Sequence, residues 1–224
     1  MTTAPQTSAG WIPIAEAAYL ADLSDRQMNR VVDEGILPVG LVLTDQGRRY
    51  SRIASAFAKF YFGTEDEFTA ALRRRTISEL TLRLERRSDF DAIAALKVAP
   101  RELDWTVKFP HGTIEVAGFV ASVSERCAAV EHANRLIGQD SEVMSGEPVF
   151  IGTRVPVEVV AASKAEGVDN ERLKKSYPFL TDELIEAASI YARVHPRRGR
   201  PLRLKDVNPE WKLRSRRTIP APAP

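Results

Sequence analysis

Residues 11–51 read WIPIAEAAYLADLSDRQMNRVVDEGILPVGLVLTDQGRRYS, and the order of local features in that stretch decides the fold of the N-terminal third. A helical pattern runs from about Pro13 to Leu20 and breaks over Ala21–Leu23. Ser24 followed by Gln27 makes a capping box, in which the hydroxyl accepts from an amide three residues on and the glutamine reaches back. Gly35 suits the end of this second helix, with Pro38 just beyond it. Met28, Val31 and Val32 then face inward, leaving Arg26, Gln27 and Arg30 along an outer face. Two short helices across a tight turn make a helix-turn-helix candidate.

Val39–Leu43 continues as a strand, Thr44–Gly47 as a turn and Arg48–Tyr50 as the return strand, so a hairpin wing follows the helix pair. Residues 51–62 and 65–75 are helical in pattern. Residues 11–75 resemble a MerR- or excisionase-like winged helix-turn-helix. The resemblance is carried by Ile14-Ala15-Glu16-Ala17-Ala18, Glu34-Gly35-Ile36-Leu37-Pro38 and Gly47-Arg48-Arg49-Tyr50. Val31 and Val32 stand where such proteins usually carry an aromatic residue. The resemblance implies DNA binding. Arg26, Gln27 and Arg30 have the chemistry to read base edges in the major groove, and Arg48, Arg49 and Tyr50 would hold the backbone. One copy reaches few phosphates, so a dimer on a repeated or palindromic operator is expected.

The middle, residues 76–137, is a connector. Residues 77–97 suit a helix interrupted near Asp89 and Asp91, whose place at a helix boundary explains them better than metal ligation. Trp105, Val107 and Phe109, then Ile114 and Val116, alternate around Pro110-His111-Gly112 as a β-hairpin. Val120, Val123, Cys127, Val130, Asn134 and Ile137 follow heptad spacing. That seam either packs on its own domain or forms a homodimer through Val120, Val123, Cys127 and Val130, with Asn134 setting register.

Residues 138–194 form a helical domain. The order Gly146-Glu147-Pro148-Val149-Phe150, Gly152-Thr153-Arg154-Val155-Pro156-Val157, Tyr177-Pro178-Phe179-Leu180-Thr181 closely resembles the family known as domain of unknown function 433, treated as VapB-like antitoxins. The likeness spans about residues 139–201. It implies a small helical module and a toxin partner with a PIN-like nuclease fold. The residues read the same way unaided. Val149–Phe150 and Val155 flank a turn at Gly152, and three helices follow, ended by Gly167, stopped before Pro178 and started by Thr181.

The chain has 224 residues with 32 basic and 30 acidic side chains, a formal charge of +2. Residues 195–224 hold nine basic groups against two acidic ones, +7, which leaves −5 for the rest. Such a tail suits an anionic partner. Arg197, Arg198, Arg200 and Arg203 could enter a carboxylate-lined nuclease cleft, Leu202 and Leu204 could line a groove, and Trp211 could anchor the contact. Nonspecific nucleic-acid binding and simple solvation are the other uses of the same charge. A single cysteine, Cys127, excludes an internal disulfide and fits a reducing cytoplasm. No apolar run is long enough to span a bilayer, and residues 1–10 have neither the basic start nor the apolar core of a signal peptide. His111, His132 and His195 are far apart, and no nucleophile, phosphate loop or zinc spacing occurs.

The expectation is a mainly α, α+β chain. Residues 1–10 are disordered, 11–75 form a winged DNA-binding domain, 76–137 a connector, 138–194 the antitoxin-family domain and 195–224 a toxin-binding tail. It is expected to have no enzymatic activity, cofactor or metal, and to be a cytoplasmic antitoxin and autorepressor that inhibits a PIN-like ribonuclease toxin. The competing reading is a MerR-like transcription regulator whose C-terminal region senses a ligand or another protein.

Overall fold

A computed structural model of the chain describes residues 10–45, 47–97 and 102–196. It is mainly helical, with small antiparallel sheets. β1 (Trp11–Pro13) leads into α1 (Ile14–Ala21), which ends at Asp22 in the left-handed conformation (φ 59°, ψ 43°). α2 (Asp25–Asp33) starts on the expected capping box: Gln27 donates its amide to Ser24 Oγ at 3.3 Å, and Gln27 Oε1 accepts the Ser24 amide at 3.0 Å. Gly35 follows at φ 57°, where a side chain would be strained.

The strand expected over residues 39–43 is shorter than its pattern. Val39–Leu41 is a single 3₁₀ turn closed by the Leu41 amide on the Pro38 carbonyl at 3.1 Å, and only Val42–Leu43 remains as β2. β3 (Arg49–Ser51) is the centre of a three-stranded antiparallel sheet, with Tyr50 opposite both Ile12 and Val42. β1 was not anticipated: it is three residues long, contains a proline, and its partner lies about forty residues away.

α3 (Arg52–Gly63), capped by Ser51 Oγ, is the buried axis of the main core. Ile53, Phe57 and Phe60 on it are fully covered. α4 (Ala70–Glu85), capped by Thr69, runs through the boundary expected at 75/76 and puts Ile77, Leu80 and Leu84 into that same core. That boundary is therefore corrected. The connector is part of the N-terminal body. Arg73, Arg74 and Arg75 on α4 tie it to its neighbours. Arg73 donates to the Tyr61 carbonyl, Arg74 Nη1 donates to the Glu34 carbonyl at 2.7 Å, and Arg75 lies 5.3 Å from the Phe109 ring centre.

After α5 (Phe90–Ala94), β4 (Thr106–Phe109) and β5 (Gly112–Glu115) pair with Val107 opposite Ile114, as the alternation implies. α6 (Ala117–Leu136) buries Val120, Val123, Cys127, Val130 and Ala133. The seam thus passes through Ala133 while Asn134 is exposed.

β6 (Ile137–Gly138) pairs with β7 (Val149–Phe150), Ile137 opposite Phe150. The strand expected at Val155 is reduced to one bridge between Val149 and Pro156. α7 (Val157–Ala165), α8 (Asn170–Ser176) and α9 (Asp182–Val194) follow, the last two capped by Asp169 and Thr181. A second, smaller core joins Phe150, Val157, Val160, Leu173, Leu180, Ile185 and Ala188. α9 serves both cores, because Ala187, Ile190 and Val194 on its other face belong to the main one.

Candidate nucleic-acid interface

α2 and the β2–β3 hairpin share one surface, and a single arginine joins them. Arg48 Nη1 donates to Asn29 Oδ1 at 2.7 Å and Nη2 to Asp33 Oδ1 at 2.5 Å. Asn29 and Asp33 are four residues apart, so both lie on one face of α2. This bidentate bond ties the hairpin to the helix. The hydrogen bond to Asp33 raises the Arg48 pKa above the usual guanidinium range. Arg48 thus fixes the relative position of the two elements and is already paired before any phosphate arrives.

The remaining expected contact residues divide. Arg26 and Arg49 are exposed and make no ion pair among the described residues. Arg30 is exposed but donates Nε to Glu34 Oε1 at 2.8 Å, and this bond holds the Glu34 carboxyl below the ordinary carboxylate range. Gln27 is half-buried and its carbonyl oxygen is committed to the cap. Tyr50 is fully buried, donates its hydroxyl to the Met28 carbonyl at 3.0 Å, and has its phenol pKa raised by burial. The expectation that Tyr50 holds DNA backbone is therefore corrected: as the middle residue of the central strand it points into the core, where it supports the floor of α2.

The homodimer seam is corrected too. Val120, Val123, Cys127 and Val130 are buried by α3 and α9 of the same chain, so a partner could reach them only by opening the fold. Burial pushes the Cys127 thiol up to about 12, so it is protonated and unreactive at neutral pH. Beside it Arg52 bridges Glu16 at 3.8 Å and Glu131 at 2.5 Å, joining α1, α3 and α6. Asp89 is held by Arg87 in two hydrogen bonds of 2.8 and 2.9 Å. Among the described residues, no group of three or more His, Cys, Asp or Glu side chains could hold a metal ion. No helix among them is long and apolar enough to cross a membrane.

In the C-terminal unit an open groove of about 570 Å³ lies between Gly138–Asp140 and the turn Ile151–Arg154. Ile151 and Arg154 on its rim are exposed. The expected toxin contacts Arg197, Arg198, Arg200, Leu202, Arg203, Leu204 and Trp211 lie outside the described residues.

Asn29 and Asp33 were missed by sequence reasoning. Their spacing on an otherwise polar helix face was the available sign. The Arg30–Glu34 pair has the same spacing but turns toward α3 and α4, with Arg30 5.4 Å from the Phe62 ring centre and Glu34 3.8 Å from Arg74.

The class is defined by the C-terminal unit: the family model described as protein of unknown function (DUF433) matches residues 137–192, from β6 to the last turn of α9. Over 192 residues the chain is 37% identical to the uncharacterized protein y4eO of Sinorhizobium fredii (strain NBRC 101917 / NGR234), covering 86% of this chain and 85% of that one. The chain belongs to the family of that protein, with residues 137–192 as its DUF433 region. No solved structure matches it.

Proposed function

We propose that the chain is the VapB-like antitoxin of a type II toxin–antitoxin pair. α1, α2 and the β2–β3 hairpin act as a winged helix-turn-helix on the operon's own promoter, making the protein an autorepressor. The DUF433 region and the basic tail bind and inhibit a PIN-like ribonuclease toxin. The observation that carries the DNA-binding half is the Arg48 clamp, which presents helix and hairpin as one rigid surface on which Arg26 and Arg49 are exposed and make no ion pair among the described residues. Preorganised readers lose less entropy on binding, so such a clamp suits a surface that must match base edges. The toxin-binding half rests on the family resemblance and the +7 tail.

A gel-shift titration of the promoter at fixed salt tests the first half. Arg26→Ala is expected to weaken specific binding by about tenfold or more, the value of one lost bidentate base contact, whereas Arg30→Ala has a smaller effect because Glu34 already holds that side chain. Unchanged affinity for Arg26→Ala would remove α2 from the reading role. Co-expression with the adjacent gene, scored for growth rescue and co-purification, tests the second half. The alternative reading, a MerR-like regulator sensing a ligand or protein, is favoured by the groove beside Ile151, and growth that needs no antitoxin would select it.

A further inference from the structure

The open groove of the DUF433 region has an exposed apolar group on its rim and opposite charges on its two walls. One wall is the turn Ile151–Arg154. The Ile151 amide is tied to the Leu136 carbonyl at 3.1 Å, yet the side chain is 64% exposed, so a fixed backbone holds an apolar knob in water. Thr153 braces the same turn, donating Oγ1 to the Phe150 carbonyl at 3.0 Å and accepting the Val155 amide at 3.2 Å. Arg154 follows and is exposed.

The other wall begins at Gly138, whose lack of a side chain keeps the groove open: a Cβ there would come 3.4 Å from Ile151 Cγ1. Asp140 is exposed, and its Oδ1 accepts the Glu142 amide at 3.0 Å. Neither Asp140 nor Arg154 makes an ion pair among the described residues. After Val143, which lines the groove, Met144, Ser145 and Gly146 run consecutively through the left-handed region at φ 50°, 56° and 81°. Residues with a side chain are strained there. Gln139 holds this turn by donating Nε2 to the Gly146 carbonyl at 2.8 Å, and Met144 is left 45% exposed.

A knob beside a groove, with an acid on one wall and a base on the other, is a self-complementary set. In a twofold contact each residue meets its counterpart twice, so one patch must carry both members of every pair. A single unlike partner requires no such pairing within the patch. We infer that the groove is a homodimer interface occupied by a second copy of this chain. Ile151 of each copy enters the groove of the other, and Arg154 of each meets Asp140 of the other. The contact closes on itself, so assembly stops at the dimer. It is small beside an obligate interface, which makes the dimer reversible and dependent on concentration. Such a dimer would also bring two α2 surfaces to one palindromic operator, but the pairing itself does not depend on the DNA-binding reading.

Sedimentation velocity of the full chain over a series of protein concentrations tests this, with the melting temperature as the control for folding. The wild type shifts from monomer to dimer as concentration rises. Ile151→Glu, a change at an exposed position, keeps the melting temperature and raises the dissociation constant by about thirtyfold or more, the weight of a residue central to an interface. Asp140→Lys and Arg154→Glu each set like charges against one another at both cross-contacts, so each variant alone is monomeric. Mixed in equal amounts the two variants form a heterodimer, because both cross-contacts then join opposite charges. A purely structural role for either residue does not give recovery on mixing. A wild type that stays monomeric at every concentration overturns the proposal, and so does an Ile151→Glu chain that dimerises as well as the wild type. A mixture of folded variants that stays monomeric overturns the cross-pairing of Arg154 with Asp140. Should Asp140→Lys disturb the turn at Glu142, Ile151→Glu decides alone. Loss of a co-expressed toxin on Ile151→Glu, in a chain whose wild type is monomeric, overturns it in favour of the toxin as occupant.

Discussion

Residues 11–63 and the DUF433 region, 137–192, are of nearly equal length but place their apolar side chains differently. The first sets almost all of its large apolar groups inside, and its exposed exceptions, Val39 and Leu43, flank the 3₁₀ turn and β2. The second leaves Met144, Ile151, Val159 and Phe179 exposed, and its own core holds only nine buried residues. It makes up the deficit through α9, which turns Ala187, Ile190 and Val194 into the larger core. A small unit with a thin core depends on what it leans against. The N-terminal unit closes its own core, and the DUF433 region shares α9 with that core.

The largest effect should come from cutting that dependence. A chain ending at Leu136 loses α9 and uncovers α6 and part of α1. With total stabilities of only about 5–15 kcal/mol, removing three buried side chains and the helix that carries them should abolish cooperative unfolding. Thermal melting followed by circular dichroism checks this, and a sharp transition at the full chain's temperature would mean that the two regions stand independently.

Phe150→Ala comes next. Phe150 is the largest side chain in the smaller core and contacts the Phe179 ring at 5.8 Å between centres. Its truncation should cost about 3–5 kcal/mol. Hydrogen exchange should accelerate in α7 and α8 while α3 keeps its protection. Equal acceleration in both would show that α9 welds the cores into one cooperative unit. Tyr50→Phe should cost less, about 0.5–1.5 kcal/mol, because it removes only the hydroxyl's hydrogen bond to the Met28 carbonyl. It should weaken promoter binding only as far as α2 loosens, since the ring never reaches the surface.

Much of this was legible in sequence, and the limits have physical causes. The capping box, the Gly35 stop, the β4–β5 alternation and the three C-terminal helices are local, each encoded within a few residues of where it acts. β1, the β6–β7 pair and the sharing of α9 depend on contacts across many intervening residues, which periodicity does not record. The seam of α6 was visible as an apolar stripe, yet a stripe does not say whose stripe it meets. Arg48 was legible as a basic residue near a turn, but its commitment to Asn29 and Asp33 needed the fold. Tyr50 was misplaced for a related reason: next to two arginines it reads as surface, although alternation in β3 sends it inward.

The smallest predicted effect tests whether the joint between α1, α3 and α6 carries strain. Glu16 is buried, and burial raises its carboxyl pKa; Arg52 at 3.8 Å works against that shift and Glu131 adds to it. A carboxyl whose folded-state pKa is raised keeps a proton that the unfolded chain has already released. Stability from this group is therefore present at low pH and is lost as pH rises through the window between the ordinary and the raised value. Glu34, Asp89 and Asp182 have lowered pKa values through hydrogen bonds from Arg30, Arg87 and Lys174, so they act in the opposite sense and partly mask it. Glu16→Gln isolates the group, because glutamine does not titrate and Arg52 retains Glu131 at 2.5 Å. The melting temperature of the wild type minus that of the variant should fall as pH is raised from about 4 towards neutrality. A difference that rises instead would mean that the Arg52 pairing outweighs burial, making the joint an ordinary stabilising ion pair.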